Sequence, residues 1–269
     1  MTTLKLEEKT DIPLLLVPPL AEVIFELRWE LQGDAQTGVY RDQAYPMMYG
    51  RMYERLKKDF PIIEDLPSVQ AHPDTAPYVV RHRLRKEKNG WPLIQVGPGI
   101  LTINDGRGYC WRQFKQLILR VVELIADLYP TSGRPLNFLK SEIRYVNAIG
   151  CDPQKENALT FLEEKLHTKV ELPLELFTTS QIGPYPHAVG LNLAYPLNRP
   201  LGHFACSLNL GQAEGKPAYI LQSVVFSLGE VVPQDKEAFD AWLAEAHTVA
   251  KSSFVSFCKG PLMQKFCAT

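Results

Sequence analysis

The sequence has no excess of either charge: 29 Lys and Arg stand against 30 Asp and Glu, a formal net charge of −1 over 269 residues. Without surplus positive charge there is little to release counterions from a nucleic-acid backbone, which disfavours nonspecific coating of DNA and leaves open only a local basic stripe. Long apolar runs are also missing. The longest, such as Leu14–Val17, fall far short of the roughly 20 residues that cross a bilayer, so no membrane span is expected. Met1–Thr10 lacks the apolar stretch and small-residue cleavage site of a secretory signal, which predicts a cytoplasmic protein. Cysteine is sparse. Cys110, Cys151, Cys206, Cys258 and Cys267 are odd in number, scattered and without a Cys-x-x-Cys pair, the pattern of reduced thiols. His72, His82, His167, His187, His203 and His247 show no His-x-x-x-His spacing, so neither a metal nor a cofactor is expected. No Gly-x-Ser-x-Gly elbow and no thiol with an activating neighbour occur, and no catalytic residue is assigned. What remains is an ordinary folded composition, 45% hydrophobic and 22% charged, enough for one large or two small cores.

Hydrophobic periodicity gives the elements. After Pro18-Pro19, Val23, Phe25, Leu27, Trp29 and Leu31 alternate with Glu22, Glu26, Arg28 and Glu30, the period of a half-buried strand. Tyr49, Met52, Tyr53, Leu56 and Phe60 recur at helical spacing until Pro61. Tyr78–Lys86 and Trp91–Asn104 flank Asn89-Gly90, whose tolerance of positive φ predicts a tight antiparallel hairpin. Trp111 to Leu128 carries the widest apolar helical stripe, stopping before Pro130. Then the order recurs: a strand through Leu139–Ile149, a weaker helix over Asn157–His167, and strand-like runs His187–Tyr195, His203–Leu210 and Ala218–Leu228. A final helix from Phe239 to Phe257 closes at Gly260-Pro261.

Strands grouped in hairpins rather than alternating singly with helices predict an α+β protein with a mainly antiparallel sheet. Two similar halves are expected, residues 1–135 with strand, helix, hairpin and helix, and 136–269 with strand, helix, meander and helix. The seam between them, Tyr129–Pro135 or Cys151–Glu156, is short, and the halves could share one sheet.

Pro18-Pro19-x-x-Glu22-Val23-x-Phe25-Glu26-Leu27-Arg28, Val96-Gly97-Pro98, Arg144-Tyr145-x-Asn147-x-Ile149 and Trp242-Leu243-x-Glu245-Ala246-His247 follow one another along nearly the whole chain. In that order they resemble a sporadically distributed family of uncharacterised prokaryotic proteins. The resemblance implies no mechanism or ligand; the patchy distribution implies association with mobile or defence islands.

Arg81, Arg83 and Arg85 lie at period two, with Lys86 beyond. On a strand all three guanidinium groups project from one face and could grip phosphates, each planar fork donating two hydrogen bonds. The alternative is a set of cross-strand ion pairs with Glu22, Glu26 and Glu30. Arg144 and Asn147, three apart on a strand, face opposite sides, and Arg144 is the one expected to meet a partner. Trp91 follows the hairpin turn, where exposure would let it anchor a protein. Gly97-Pro98-Gly99 and Gly106-Arg107-Gly108 match no phosphate loop and read as bends. Trp29, Trp111 and Trp242 occupy periodic core positions. The expectation is a non-enzymatic protein-interaction component of a prokaryotic defence or toxin-neutralising module, its phosphate- or partner-binding residues drawn from Arg81, Arg83, Arg85, Lys86, Trp91 and Arg144. The alternative is a nucleic-acid or nucleotide-binding protein using the basic sheet face.

Overall fold

The computed structural model describes residues 18–34, 39–70, 76–129, 136–153, 155–178, 182–183, 186 and 189–267. Met1–Thr10, Leu14–Val17, His72, His187 and parts of both candidate seams lie outside them. Strand β1 (Leu20–Trp29) follows the two prolines, and its alternation is strict: Val23, Phe25, Leu27 and Trp29 are wholly buried, while Ile24, Glu26 and Arg28 are half-buried on the other side. A small ladder of β2 (Gln32–Asp34) and β3 (Val39–Arg41) stands apart. Helix α1 (Tyr45–Leu56) starts a turn earlier than the Tyr49–Phe60 pattern predicts, burying Tyr45 and Met48 as well as Met52 and Leu56. Pro46 fits its first turn, where a missing N–H is no loss.

Next come β4 (Ile62–Asp65), β5 (His82–Arg85), β6 (Leu93–Gly97) and β7 (Ile100–Asp105). Asn89 takes φ 59, and β5 and β6 pair antiparallel, although residues 86–92 make a longer connection than the tight hairpin expected. Pro98-Gly99 turns β6 into β7, with Gly99 at φ 74. Helix α2 (Trp111–Leu128) buries Phe114, Ile118, Val121, Val122 and Ile125. The second half runs β8 (Phe138–Gly150), α3 (Ala158–Leu166), α4 (Glu175–Thr178), β9 (Gly190–Asn198), β10 (Leu201–Ala213), β11 (Lys216–Leu228), α5 (Lys236–Cys258) and α6 (Pro261–Cys267). Asn157 caps α3 by accepting from Leu159 N–H, and Asp235 caps α5 by accepting from Ala238 N–H, each satisfying an orphan donor of the first turn.

Nine strands form an antiparallel sheet in the order β4-β5-β6-β7-β1-β8-β11-β10-β9. The protein is therefore α+β. One hydrophobic cluster joins Val23, Phe25, Leu27 and Trp29 of β1 to α1, α2 and α5 and also takes in Ile143 of β8 and Val225 of β11. A second joins Ile149, Leu208, Tyr219 and Leu221 to α3, the end of α5 and α6. By register these strand residues all lie on one face, so the five helices with buried residues cover that face. Among the described residues no helix is long and apolar enough to cross a membrane, and all five cysteines are free thiols.

Candidate functional site

The opposite, open face divides into two regions. From β4 to β8 it carries a hydrogen-bonded charge network. Glu64 on β4 accepts from Arg83 and Arg85 on β5 at 3.0–3.1 Å. Arg83 Nε also donates to Gln95 Oε1 at 3.0 Å; Gln95 donates to Thr102 and Asn104; Asn104 donates to Glu22 Oε1 at 2.7 Å. The next row is ionic. Lys140 on β8 bridges Glu26 on β1 (2.8 Å) and Glu142 (2.7 Å), while Arg28 closes on Glu26 and Arg144 on Glu142 at 2.6 Å. Burial pushes the Glu26 carboxyl up, but Lys140 and Arg28 more than reverse it and hold it below the usual carboxylate range. Burial likewise raises Glu64, and Arg85 and Arg83 outweigh it. Five cations (Arg28, Arg83, Arg85, Lys140, Arg144) thus face four carboxylates (Glu22, Glu26, Glu64, Glu142), and each of the five is paired within the sheet, Arg83 and Arg85 sharing Glu64.

Glu142 holds the middle of that row with its side chain only 7% exposed. Glu142→Gln leaves Lys140 and Arg144 without that carboxylate, and urea unfolding is expected to show a loss of about 1–3 kcal/mol. A change under about 0.5 kcal/mol, the size of an ordinary surface substitution, contradicts the pairing.

From β8 to β9 the same face is uncharged in its middle. Val146 and Ala148 on β8, Ile220, Val224 and Phe226 on β11, and Ala205 on β10 share it by register with Ser207, Gln222 and Asn192. His203 stacks on Phe226 with ring centroids 5.1 Å apart. Ile24, Val146, Ile220, Val224 and Phe226 are half-buried, and none of them packs against either hydrophobic core.

The residues singled out by sequence separate. Arg83 and Arg85 share the open face, with Glu64 rather than Glu22, Glu26 or Glu30 as their partner; β4, which carries Glu64, has no periodic signal beyond four residues. Arg81 leaves the row. Its N–H donates to Val96 carbonyl although His82 is the residue registered opposite Val96, the two-against-one pairing of a β-bulge, which turns neighbouring side chains toward the same side. Arg81 therefore lines a cleft of about 640 Å³ on the helical side with Tyr45, Tyr49 and His82. Gly97 makes room for this crossing, since a Cβ there would overlap Val79 carbonyl. Lys86 is exposed and lines a different cleft with Asp105 and Arg120. Trp91 is half-buried instead of exposed: its indole lies over Gly106, where an added Cβ would come within 3.0 Å of the ring. Arg144 is on the open face and pairs with Glu142 on its own strand; Asn147 is buried on the helical side.

Two clusters had no motif to announce them. Under α5, His247 stacks on Trp111 at 4.0 Å and meets the Tyr145 hydroxyl at 2.7 Å, which in turn meets Tyr109 at 3.2 Å. Burial, aided by Lys251, depresses the His247 pKa to about 4, and burial raises both tyrosines above the ordinary phenol range. The imidazole is neutral at pH 7 and half-buried among rings, a packing arrangement. The other is the Arg81 cleft, where Tyr49 stacks on His82 at 4.1 Å. Among the described residues no group of three or more His, Cys, Asp and Glu could hold a metal ion. Compared with known proteins, the chain matches no protein-family model, and no curated protein matches it.

Proposed function

We propose that this is a cytoplasmic, non-enzymatic protein-interaction component that works through the open face of its sheet. One observation carries the reading: Val146, Ile220, Val224 and Phe226 lie together, with Ile24 across Arg144, on a face where none of the five joins either core. With strands about 4.8 Å apart and side chains repeating about every 7 Å along them, the uncharged region covers a few hundred Å², the size of the largest apolar patch on a monomer, which is often functional. Its occupant is a protein surface that is itself apolar and uncharged at the centre and polar at the rim, because the adjoining charges are already paired with one another. The same pairing speaks against the nucleic-acid alternative, which needs cations free to release phosphate counterions. The resemblance to the sporadic prokaryotic family supplies the setting proposed, a defence or toxin-neutralising module.

We also infer that the halves 1–135 and 136–269 are variants of one unit sharing the sheet. Supporting this are the order strand, helix, antiparallel strands, helix in each, and the antiparallel adjacency of their first strands, β1 and β8, flanked by their last, β7 and β11.

The test is substitution on the face. Val224→Arg, which puts a second cation opposite Arg144, is expected to weaken binding of the purified partner at least 100-fold, as an unpaired charge in a desolvated interface costs several kcal/mol. Lys155→Glu, 85% exposed and outside the face, leaves it unchanged. Unaltered affinity in Val224→Arg overturns the reading, as does salt-sensitive binding of RNA or DNA at this face. Self-association abolished by Val224→Arg makes the occupant a second copy and overturns the partner assigned here.

A further inference from the structure

We propose that the cleft between α1 and the start of β5 is a binding site for a small oxyanion, a carboxylate or phosphate group held by Arg81. The site lies on the helical side of the sheet and stands independently of the open face. Arg81 is 6% exposed, so its guanidinium is nine-tenths removed from water. Its Nη1 donates to Val69 carbonyl at a long 3.4 Å, and Nε and Nη2 have no hydrogen-bond partner at all. The guanidinium is a permanent cation in proteins. Buried charges in folded proteins are paired, and among the described residues no carboxylate forms an ion pair with Arg81. Asp42 on the cleft wall directs its oxygens to Trp29 Nε1 at 3.3 Å, Gly99 N–H at 3.0 Å and Tyr129 hydroxyl at 2.6 Å, all neutral donors, and not to the Arg81 fork.

The opposite wall points to the same ligand. Tyr45 and Pro46, the first turn of the twelve-residue α1, line the cleft. That turn has no acidic residue, and Ala44 before it offers no capping side chain, so the positive end of the helix dipole faces the cleft beside the Asp42 carboxylate. A planar oxyanion takes two parallel hydrogen bonds from one guanidinium fork, which is the donor set Arg81 leaves unused. The stacked Tyr49 and His82 rings give the cleft a flat apolar side, and its volume of about 640 Å³ suits a ligand of metabolite size.

Inorganic phosphate and succinate serve as probes at constant ionic strength, with chloride as the balancing anion. In wild-type protein one or both are expected to shift the Arg81 Nε–Hε resonance saturably and to raise Tm by about 5 °C at a hundred times Kd. Arg81→Met is expected to abolish the Tm response. Saturation by phosphate alone assigns a phosphate-bearing ligand and by succinate alone a carboxylate; either supports the site. No saturable change with either probe at 50 mM overturns it, and so does an equal Tm rise in Arg81→Met, which would be general salt stabilisation. Should Arg81→Met fail to fold, the wild-type resonance titration decides alone.

Discussion

Gly97→Ala is expected to lose the folded state. A Cβ at this position would overlap the carbonyl oxygen of Val79 and crowd the backbone of Val80. Backbone meeting backbone cannot be relieved by turning a side chain. The segment is also anchored on both sides, by Tyr78 N–H to Pro98 carbonyl at 3.0 Å and Arg81 N–H to Val96 carbonyl at 2.9 Å. The cost should exceed about 4 kcal/mol, a large part of the roughly 5–15 kcal/mol that keeps a domain folded. Gly150→Ala is the control: nothing lies within 4 Å of its added Cβ, and its melting temperature should stay within about 2 °C of wild type. A Gly97→Ala protein melting like the parent would remove the close crossing, and with it the geometry that sends Arg81 to the helical side.

Acid is expected to destabilise the protein through His247. Its pKa is about 4 in the folded state against 6.5 unfolded, so between those values the unfolded chain binds the extra proton and stability falls as pH falls. The contribution is complete above about pH 6.5 and gone below about pH 4, and its size is about 3 kcal/mol. His247→Phe keeps a ring on Trp111 and leaves Tyr145 its hydroxyl contact with Tyr109. In urea titrations wild type should lose about 3 kcal/mol more than this variant between pH 7 and pH 4. Parallel pH profiles for the two proteins would show that His247 titrates normally and is open to water.

The strands and helices were legible where period and burial coincide. The β1 alternation, the α2 stripe and the meander of the second half follow from spacing, because one face of each packs against a continuous core. What sequence could not show are events decided by a single residue or by distant pairing. One N–H directed at Val96 takes Arg81 out of a row whose spacing places three arginines together. Glu64, which neutralises Arg83 and Arg85, sits on a four-residue strand too short for a periodic signal. Trp91 follows a turn that suggests exposure, yet Gly106, fifteen positions on, leaves a space that its ring fills. His247 stands two residues from Glu245 with no local partner, and its surroundings are built from Trp111 and Tyr145 of other elements. Each of these changes which side chains share a surface, since together they take Arg81 from the sheet face to a cleft and pair Arg83 and Arg85 on that face.

The most direct measurement is methyl cross-saturation in the complex of deuterated, methyl-protonated protein with its purified, protonated partner. Saturation should reach the methyl groups of Ile24, Val146, Ile220 and Val224 on the open face and spare Leu193, which is 42% exposed on the helical side of β9. Saturation at Leu193 with silence at Val224 would contradict the account and move the interaction to the other side of the sheet.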